Sequence, residues 1–123
     1  MAKILVVDDS KFMRLTLKNI IEKYFGGTHA VVGEAASAAE AVEKFLSLQP
    51  ELITMDIIMP EESGLEAVKR IIAHSPTARI IMVSAMGQEK IVEEAIAMGA
   101  KSFVIKPVKT EDLIKTIKKV LGD

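Results

Sequence analysis

The sequence predicts an α/β fold in which helices cover both faces of a parallel sheet. Short apolar runs rich in β-branched residues alternate five times with longer segments whose apolar residues recur at helical spacing. Strands and helices that alternate in this way form parallel sheets with right-handed crossovers. The 123 residues lie within the commonest size range for one domain, so residues 1–123 are expected to form a single domain.

The first unit is a strand followed by a helix. Residues 4–7 form a continuous apolar run that stops at two aspartates, as expected of a strand buried on both faces. Ser10 is the predicted N-cap of the first helix, which ends at Gly26-Gly27. The predicted buried face of this helix consists of Met13, Leu17, Ile20 and Tyr24.

The second and third units repeat this order, with strands predicted over residues 30–33 and 52–56. The helix over 38–48 ends before a proline, which lacks the amide hydrogen that a helix needs. Its inward residues are Ala41, Val42 and Phe45. Residues 59–64 are a loop by their proline and glycine content, and the helix after them stops near Ser75-Pro76. The predicted inward residues of this helix are Leu65, Val68, Ile71 and Ile72.

The last two units have strands predicted over residues 79–83 and 102–105. The fourth helix is predicted over 88–98, with Gly99 as its C-cap. Its inward residues are Ile91, Ala95 and Met98. The fifth helix is predicted over 111–121. Its apolar face runs through Ile114, Ile117 and Leu121.

Polar residues follow or end four of the five predicted strands: Asp8, Asp9, Asp56, Ser84 and Lys106. Because ligands bind outside the carboxyl ends of the strands in such sheets, we expect these side chains to converge. Crowded carboxylates need a cation or a proton, and oxygen ligands alone favour magnesium over zinc. An aspartyl nucleophile with a metal, an ammonium and a hydroxyl predicts a phosphoryl-transfer site.

Composition excludes several other classes of function. Sixteen basic and 17 acidic residues give a net charge of -1, without the basic footprint of a nucleic-acid-binding protein. The absence of cysteine excludes disulfides and thiolate metal sites. No apolar run approaches the roughly 20 residues of a membrane span, and no signal peptide is recognisable. We therefore expect a cytoplasmic protein that binds neither nucleic acid nor membrane.

Four motifs at these strand ends resemble the response regulator receiver family over essentially the whole chain. They are Asp8-Asp9, Met-Asp-Ile-Ile-Met-Pro at residues 55–60, Ser84-Ala85 and Lys106-Pro107. The similarity is closest to the single-domain chemotaxis regulators of that family, the CheY proteins, and residues 84–88 resemble a subgroup of them. The resemblance implies a flavodoxin-like, doubly wound sheet of five parallel strands in the order 2-1-3-4-5, with five helices.

The resemblance also implies roles for the clustered residues. Asp56 is the expected phosphoacceptor, which attacks a phosphohistidine on a sensor histidine kinase of the CheA type. Asp8 and Asp9 are expected to hold Mg²⁺, together with an Asp56 oxygen and the backbone carbonyl of Ile58. Lys106 is expected to bind a phosphoryl oxygen and to form a cis peptide bond with Pro107. The protein is expected to be a phosphoacceptor that assists its own phosphorylation and dephosphorylation, and not an enzyme.

A conformational switch is implied as well. Ser84 is expected to move toward the phosphoryl group and Phe103 to turn inward, although ordinary core packing explains Phe103 equally well. The altered face, residues 88–121, is expected to bind a downstream target such as a flagellar motor switch, with a phosphatase as a further partner. A monomer is expected. Ile58 and Met86 stand where other receivers have polar residues, and apolar groups there should hinder an attacking water and slow self-dephosphorylation.

Simpler explanations and other functions compete with this one. Asp8 and Asp9 alone could be turn residues, and Asp56 with Lys106 could be a surface ion pair worth about 1 kcal/mol or less. A phosphorelay intermediate, which passes the phosphoryl group on to a histidine, is not separated by sequence. A haloacid dehalogenase-type phosphatase needs a second aspartate at the position of Ile58. A nucleotide- or flavin-binding module needs a glycine-rich loop after the first strand.

Overall fold

The computed structural model describes residues 2–122 and confirms the predicted alternation of strands and helices. The strands are β1 (Ala2–Val7), β2 (His29–Ala35), β3 (Leu52–Asp56), β4 (Arg79–Ser84) and β5 (Ser102–Ile105). The helices are α1 (Lys11–Phe25), α2 (Ala38–Leu48), α3 (Gly64–His74), α4 (Glu89–Met98) and α5 (Thr110–Leu121). All paired strands are parallel, and the sheet has the predicted order β2-β1-β3-β4-β5. Within the described residues, no helix is both long and apolar enough to cross a membrane.

The register of the strands brings their carboxyl ends to one edge of the sheet. Val7 of β1 pairs with Met55 of β3, so Asp8 follows one strand where Asp56 ends its neighbour. Ser84 at the end of β4 pairs with Ile105 of β5, so Lys106 follows directly beside it. The sequence positions these four polar residues, and parallel pairing makes them neighbours.

Two apolar clusters cover the two faces of the sheet. One cluster joins the sheet to α2, α3 and α4 and contains Ile53, Met55 and Ile80 of the strands. The other joins it to α1 and α5 and contains Leu52 and Ile81. Consecutive residues of β3 thus alternate between the two clusters, as the period of two in a strand requires. The site edge is therefore fixed by packing on both sides.

The prediction of which helical residues are buried was right in part for three helices, since Leu17, Ala95 and Ile117 are buried as predicted. In α1 the buried residues are Leu17, Ile21 and Phe25, while Tyr24 is 53% exposed and its hydroxyl lies 3.1 Å from Lys118 Nζ. In α4 the buried pair is Val92 and Ala95, and Met98 is exposed. In α5 it is Leu113 and Ile117. Each helix has adjacent apolar residues, such as Ile20 and Ile21, and helical spacing alone does not determine which of the two faces the sheet.

Candidate functional site

Three carboxylates lie together at the carboxyl edge of the sheet. One carboxylate oxygen each of Asp8, Asp9 and Asp56 lies within 4.8 Å of the other two. Asp8 is fully buried and Asp56 is 5% exposed, whereas Asp9 is exposed. The expected convergence of these residues is confirmed, and their donor set consists of oxygen atoms alone.

Lys106 connects two of the carboxylates. Its Nζ lies 3.1 Å from Asp56 Oδ1 and 3.2 Å from Asp8 Oδ2. The Lys106 N–H donates a hydrogen bond to the carbonyl of Ser84 at 2.7 Å, which fixes the residue after β5 against the end of β4. The peptide bond between Lys106 and Pro107 is cis, as expected. Lys106 thus brings one positive charge between two buried negative groups.

The charges in this cluster shift each other's protonation. Burial, followed by repulsion from Asp8, raises the pKa of Asp56 from 3.8 to about 6, although Lys106 opposes this shift. Burial works against the charged form of Lys106, but its hydrogen bond to Asp56 and the attraction of both carboxylates raise its pKa. Lys106 is therefore a permanent cation at neutral pH, and one cation does not fully offset the two buried carboxylates.

The cluster is suited to a hard divalent cation. Asp8 Oδ2 is buried and accepts no hydrogen bond among the described residues, although Lys106 Nζ lies 3.2 Å away as its ion-pair partner. Lys106 is shared between Asp8 and Asp56, so one negative charge stays uncompensated in a buried place, and a further cation would offset it. Two or three carboxylates with open access through Asp9 match the preference of Mg²⁺ for a few carboxylates and several waters. The residues therefore fit magnesium, with Asp8, Asp9 and Asp56 as the protein ligands that are available.

Backbone contacts hold the aspartates in place. Ser10 is the N-cap of α1, as predicted, and its hydroxyl accepts from the Met13 N–H. Its own N–H donates to Asp8 Oδ1 at 2.9 Å. On the other side of the cluster, Gly64 begins α3 so close to β3 that an added Cβ would lie 2.0 Å from the Asp56 carbonyl oxygen. The loop between β3 and α3 therefore requires glycine at this position.

Ser84 and Phe103 lie beside the cluster and are not part of it in this conformation. Ser84 is buried, and its hydroxyl donates to the carbonyl of Val104 at 3.5 Å. Phe103 is 44% exposed. Both residues line a mainly apolar pocket of about 370 Å³ between α4 and β5, to which Met86 and Val92 also contribute. The pocket provides space next to Ser84 into which an aromatic ring could move.

Two apolar side chains project from the loops around the site. Ile58, in the loop after β3, is 65% exposed, and Met86, in the loop after β4, is 81% exposed. Their role in limiting access of water stays a prediction. Whether the Ile58 carbonyl is a metal ligand stays a prediction.

The contacts of three residues around the site were not predicted from the sequence. Arg14 donates to the carbonyl of Asp8 at 2.8 Å and pairs with Glu34 at 3.0 Å. Gln88 is the N-cap of α4 and not its first residue, and its side-chain oxygen accepts from the Ala85 N–H at 2.6 Å. A basic residue one turn after a predicted N-cap could have pointed to Arg14, but nothing in the sequence pairs it with Glu34.

The chain is similar to known proteins of one family. A profile of the response regulator receiver domain matches residues 4–118. The chain is 47% identical over 118 residues to the chemotaxis protein CheY of Thermotoga maritima, covering 96% of each chain. It superimposes on the response regulator domain of Thermotoga maritima CheB with a TM-score of 0.88 and 39% identity, covering 100% of this chain and 98% of the other.

A further structural neighbour is the CheX-CheY-BeF3-Mg+2 complex from Borrelia burgdorferi. The TM-score is 0.86 at 30% identity, and the match covers 98% of this chain and 89% of the other.

Proposed function

Because this chain belongs to the response regulator receiver family, we propose that it is a signalling switch that takes a phosphoryl group onto Asp56 from a sensor histidine kinase of the CheA type. The observation that carries the proposal is the buried Asp56 carboxylate, held 3.1 Å from Lys106 in a cluster of three aspartates. The chemotaxis relatives support a single-domain regulator that acts in the cytoplasm by binding other proteins.

The proposed step is transfer from a phosphohistidine. An Asp56 oxygen attacks phosphorus, the phosphorus–nitrogen bond breaks, and the histidine nitrogen keeps the electron pair. Lys106 offsets charge on a phosphoryl oxygen, since its ammonium already lies between two carboxylates. Mg²⁺ bound by Asp8 and Asp9 would shield the remaining phosphoryl oxygens. The protein supplies position and charge, and the phosphodonor supplies the reactive bond.

Phosphorylation then changes the surface that partners meet. The phosphoryl group adds nearly two negative charges and three acceptor oxygens, enough to bias an element that has two arrangements close in energy. We propose that the Ser84 hydroxyl leaves the Val104 carbonyl for the phosphoryl group and that Phe103 enters the adjoining pocket. The output face is the surface of α4, β5 and α5. Its exposed apolar residues are Ile96, Met98, Phe103 and Ile105.

The phosphoryl group should be lost slowly without help. Ile58 and Met86 offer no polar group that could orient an attacking water. Replacing Ile58 with asparagine should speed phosphoryl loss severalfold, measured as the decay of the phosphorylated mass. Leu46→Asn, at another exposed apolar position on α2, is the matched control. Unchanged decay in Ile58→Asn would contradict the proposed role. A slow intrinsic rate would leave termination of the signal to a phosphatase partner.

The acceptor assignment is tested with a small phosphodonor. The wild-type protein and Asp56→Asn are incubated with acetyl phosphate and Mg²⁺, and the adduct is mapped by mass spectrometry of peptides. We expect one phosphoryl adduct that depends on Mg²⁺ and is absent from Asp56→Asn. No adduct, or the same adduct in the variant, would refute the assignment. Incubating the phosphorylated protein with a histidine phosphotransfer domain then distinguishes a phosphorelay intermediate, which passes the group on, from a terminal switch, which keeps it.

A further inference from the structure

Arg14 joins the site to a neighbouring strand without being one of its ligands. It lies in the first turn of α1, and its side chain is only 16% exposed. Nη1 donates to the carbonyl oxygen of Asp8 at 2.8 Å, and Nε lies 3.0 Å from Oε1 of Glu34 on β2. The guanidinium therefore bridges the end of β1 and the end of β2.

The atom that Arg14 contacts is well placed to orient two carboxylates. The carbonyl of Asp8 and the N–H of Asp9 belong to one planar peptide group. A hydrogen bond to this carbonyl therefore also fixes the orientation of the Asp9 backbone. The Asp8 N–H is held separately by the carbonyl of Ala35 at 3.0 Å, and Asp8 Oδ1 by the Ser10 N–H. Arg14 adds a third contact, to the carbonyl of the peptide group between Asp8 and Asp9.

Glu34 keeps the guanidinium in the required position. Its carboxylate pairs with Arg14, and its own carbonyl accepts a hydrogen bond from Lys44 of α2. Glu34 also pairs with Val6 in the parallel ladder, immediately before the strand reaches the aspartates. The bridge is therefore anchored on a strand that is itself held to β1 by backbone pairing.

We propose that Arg14, held by Glu34, is a positioning residue that raises the affinity of the Asp8–Asp9 site for Mg²⁺. The inference rests on the proposed function, because it takes these two aspartates as magnesium ligands. Groups that orient metal ligands from outside typically change metal affinity 10- to 100-fold. A cation that acted only through its charge would do the opposite, since removing it would strengthen binding of Mg²⁺.

Orientation of the ligands and charge alone predict opposite changes in Mg²⁺ affinity when Arg14 is replaced, so a titration distinguishes them. Mg²⁺ is titrated into metal-free wild type, Arg14→Met, Arg14→Lys and Glu34→Gln, with the amide shifts of Asp9 and its neighbours followed by NMR. We expect about tenfold weaker binding in Arg14→Met. Arg14→Lys should also bind more weakly despite its retained charge, because an ammonium does not reproduce the fork that spans both acceptors. Glu34→Gln should change affinity in the same direction by a smaller factor.

Lys18→Met is the control, since it removes a positive charge one turn further along α1. Its affinity should stay within about twofold of wild type. Equal or tighter Mg²⁺ binding in Arg14→Met and Arg14→Lys, while wild type binds, would overturn the inference and leave the proposed metal site intact. A loss in Lys18→Met as large as that in Arg14→Met would also overturn it. Absence of Mg²⁺ binding by wild type at millimolar concentrations would refute the metal site and this inference together.

Discussion

The interior of the sheet and its carboxyl edge both bury side chains but differ in the kind of side chain that they bury. Ile53 and Ile80 in the interior are fully buried apolar residues within one packed cluster. At the edge, Asp8 and Asp56 are almost as inaccessible, yet they carry carboxylates only partly offset by Lys106. Burial stabilises the first region and opposes ionisation in the second. Burial of the carboxylates lowers the stability of the fold, and they lie in the candidate site.

The largest expected effect comes from cutting into the interior. Ile53→Ala removes a fully buried side chain between two neighbouring strands and should lower the free energy of unfolding by about 3 to 4 kcal/mol. Denaturant unfolding measures this loss. Mg²⁺ affinity should stay nearly unchanged under native conditions, because the cavity does not touch the aspartates. A loss below about 1 kcal/mol would contradict the contrast between the two regions.

Gly64 tests how tightly the edge is built. In Gly64→Ala the new Cβ would meet the Asp56 backbone, which cannot move away without displacing the acceptor. We expect a loss of about 3 kcal/mol in the free energy of unfolding, together with weaker Mg²⁺ binding. Gly27→Ala at the opposite end is the control: its Cβ meets nothing, and only its φ of 95° costs about 1 kcal/mol. Equal losses at the two glycines would show that the edge is not closely packed.

At the acceptor itself the expected sign is reversed. Asp56→Asn removes a buried charge but keeps the shape and an oxygen acceptor for Lys106. In metal-free buffer at pH 7 the variant should be more stable than wild type, by on the order of 2 kcal/mol. Chemical unfolding of both proteins checks this. A destabilised variant would mean that Lys106 already compensates both carboxylates fully.

The difference in stability between wild type and Asp56→Asn should depend on pH. Because the folded protein raises the pKa of Asp56 from 3.8 to about 6, the folded state holds this proton more tightly than the unfolded state. The contribution of Asp56 to stability is therefore full below pH 4 and is lost as pH rises through 6. The two proteins should be about equally stable near pH 4, and the advantage of the asparagine variant should grow between pH 4 and 7. A gap that widens toward low pH would contradict the sign.

Thr54 is an exception inside the interior and gives the smallest effect. Its side chain is fully buried in β3, and Oγ1 has no hydrogen-bond partner among the described residues. Thr54→Val keeps the shape and removes the unpaired hydroxyl, so the free energy of unfolding should rise by about 1 kcal/mol. A lower stability in thermal or chemical unfolding would show that the hydroxyl has a partner, such as a buried water.

Sequence predicted the fold because its signals are local and repeated. β3 and β5 have the bounds predicted from their apolar runs, and Ser10 is the predicted cap. The burial errors in α1, α4 and α5 arose where adjacent apolar residues both satisfied helical spacing. Tertiary packing decides between Ile20 and Ile21, and a single sequence carries no record of it.

The site residues that lie at the ends of strands were predictable from the sequence. Asp8, Asp56 and Lys106 each follow or end an apolar run, so parallel pairing was enough to bring them together. Arg14 and Glu34 were not predictable, because their contact joins a helix face to a strand residue 20 positions away. The raised pKa of Asp56 likewise depends on burial and on the nearness of Asp8, and both follow only from the three-dimensional structure.

The measurement that tests the account most directly is thermal unfolding of wild type and Asp56→Asn with Mg²⁺ and beryllofluoride, a mimic of the phosphoryl group. If the polar edge is one site for a cation and a phosphoryl group, both additives together should stabilise wild type by about 3 kcal/mol at 100 times the dissociation constant. Either additive alone should stabilise it less, and Asp56→Asn should gain nothing from beryllofluoride. Equal stabilisation of the two proteins, or none in wild type, would contradict the assignment of Asp56 as the acceptor.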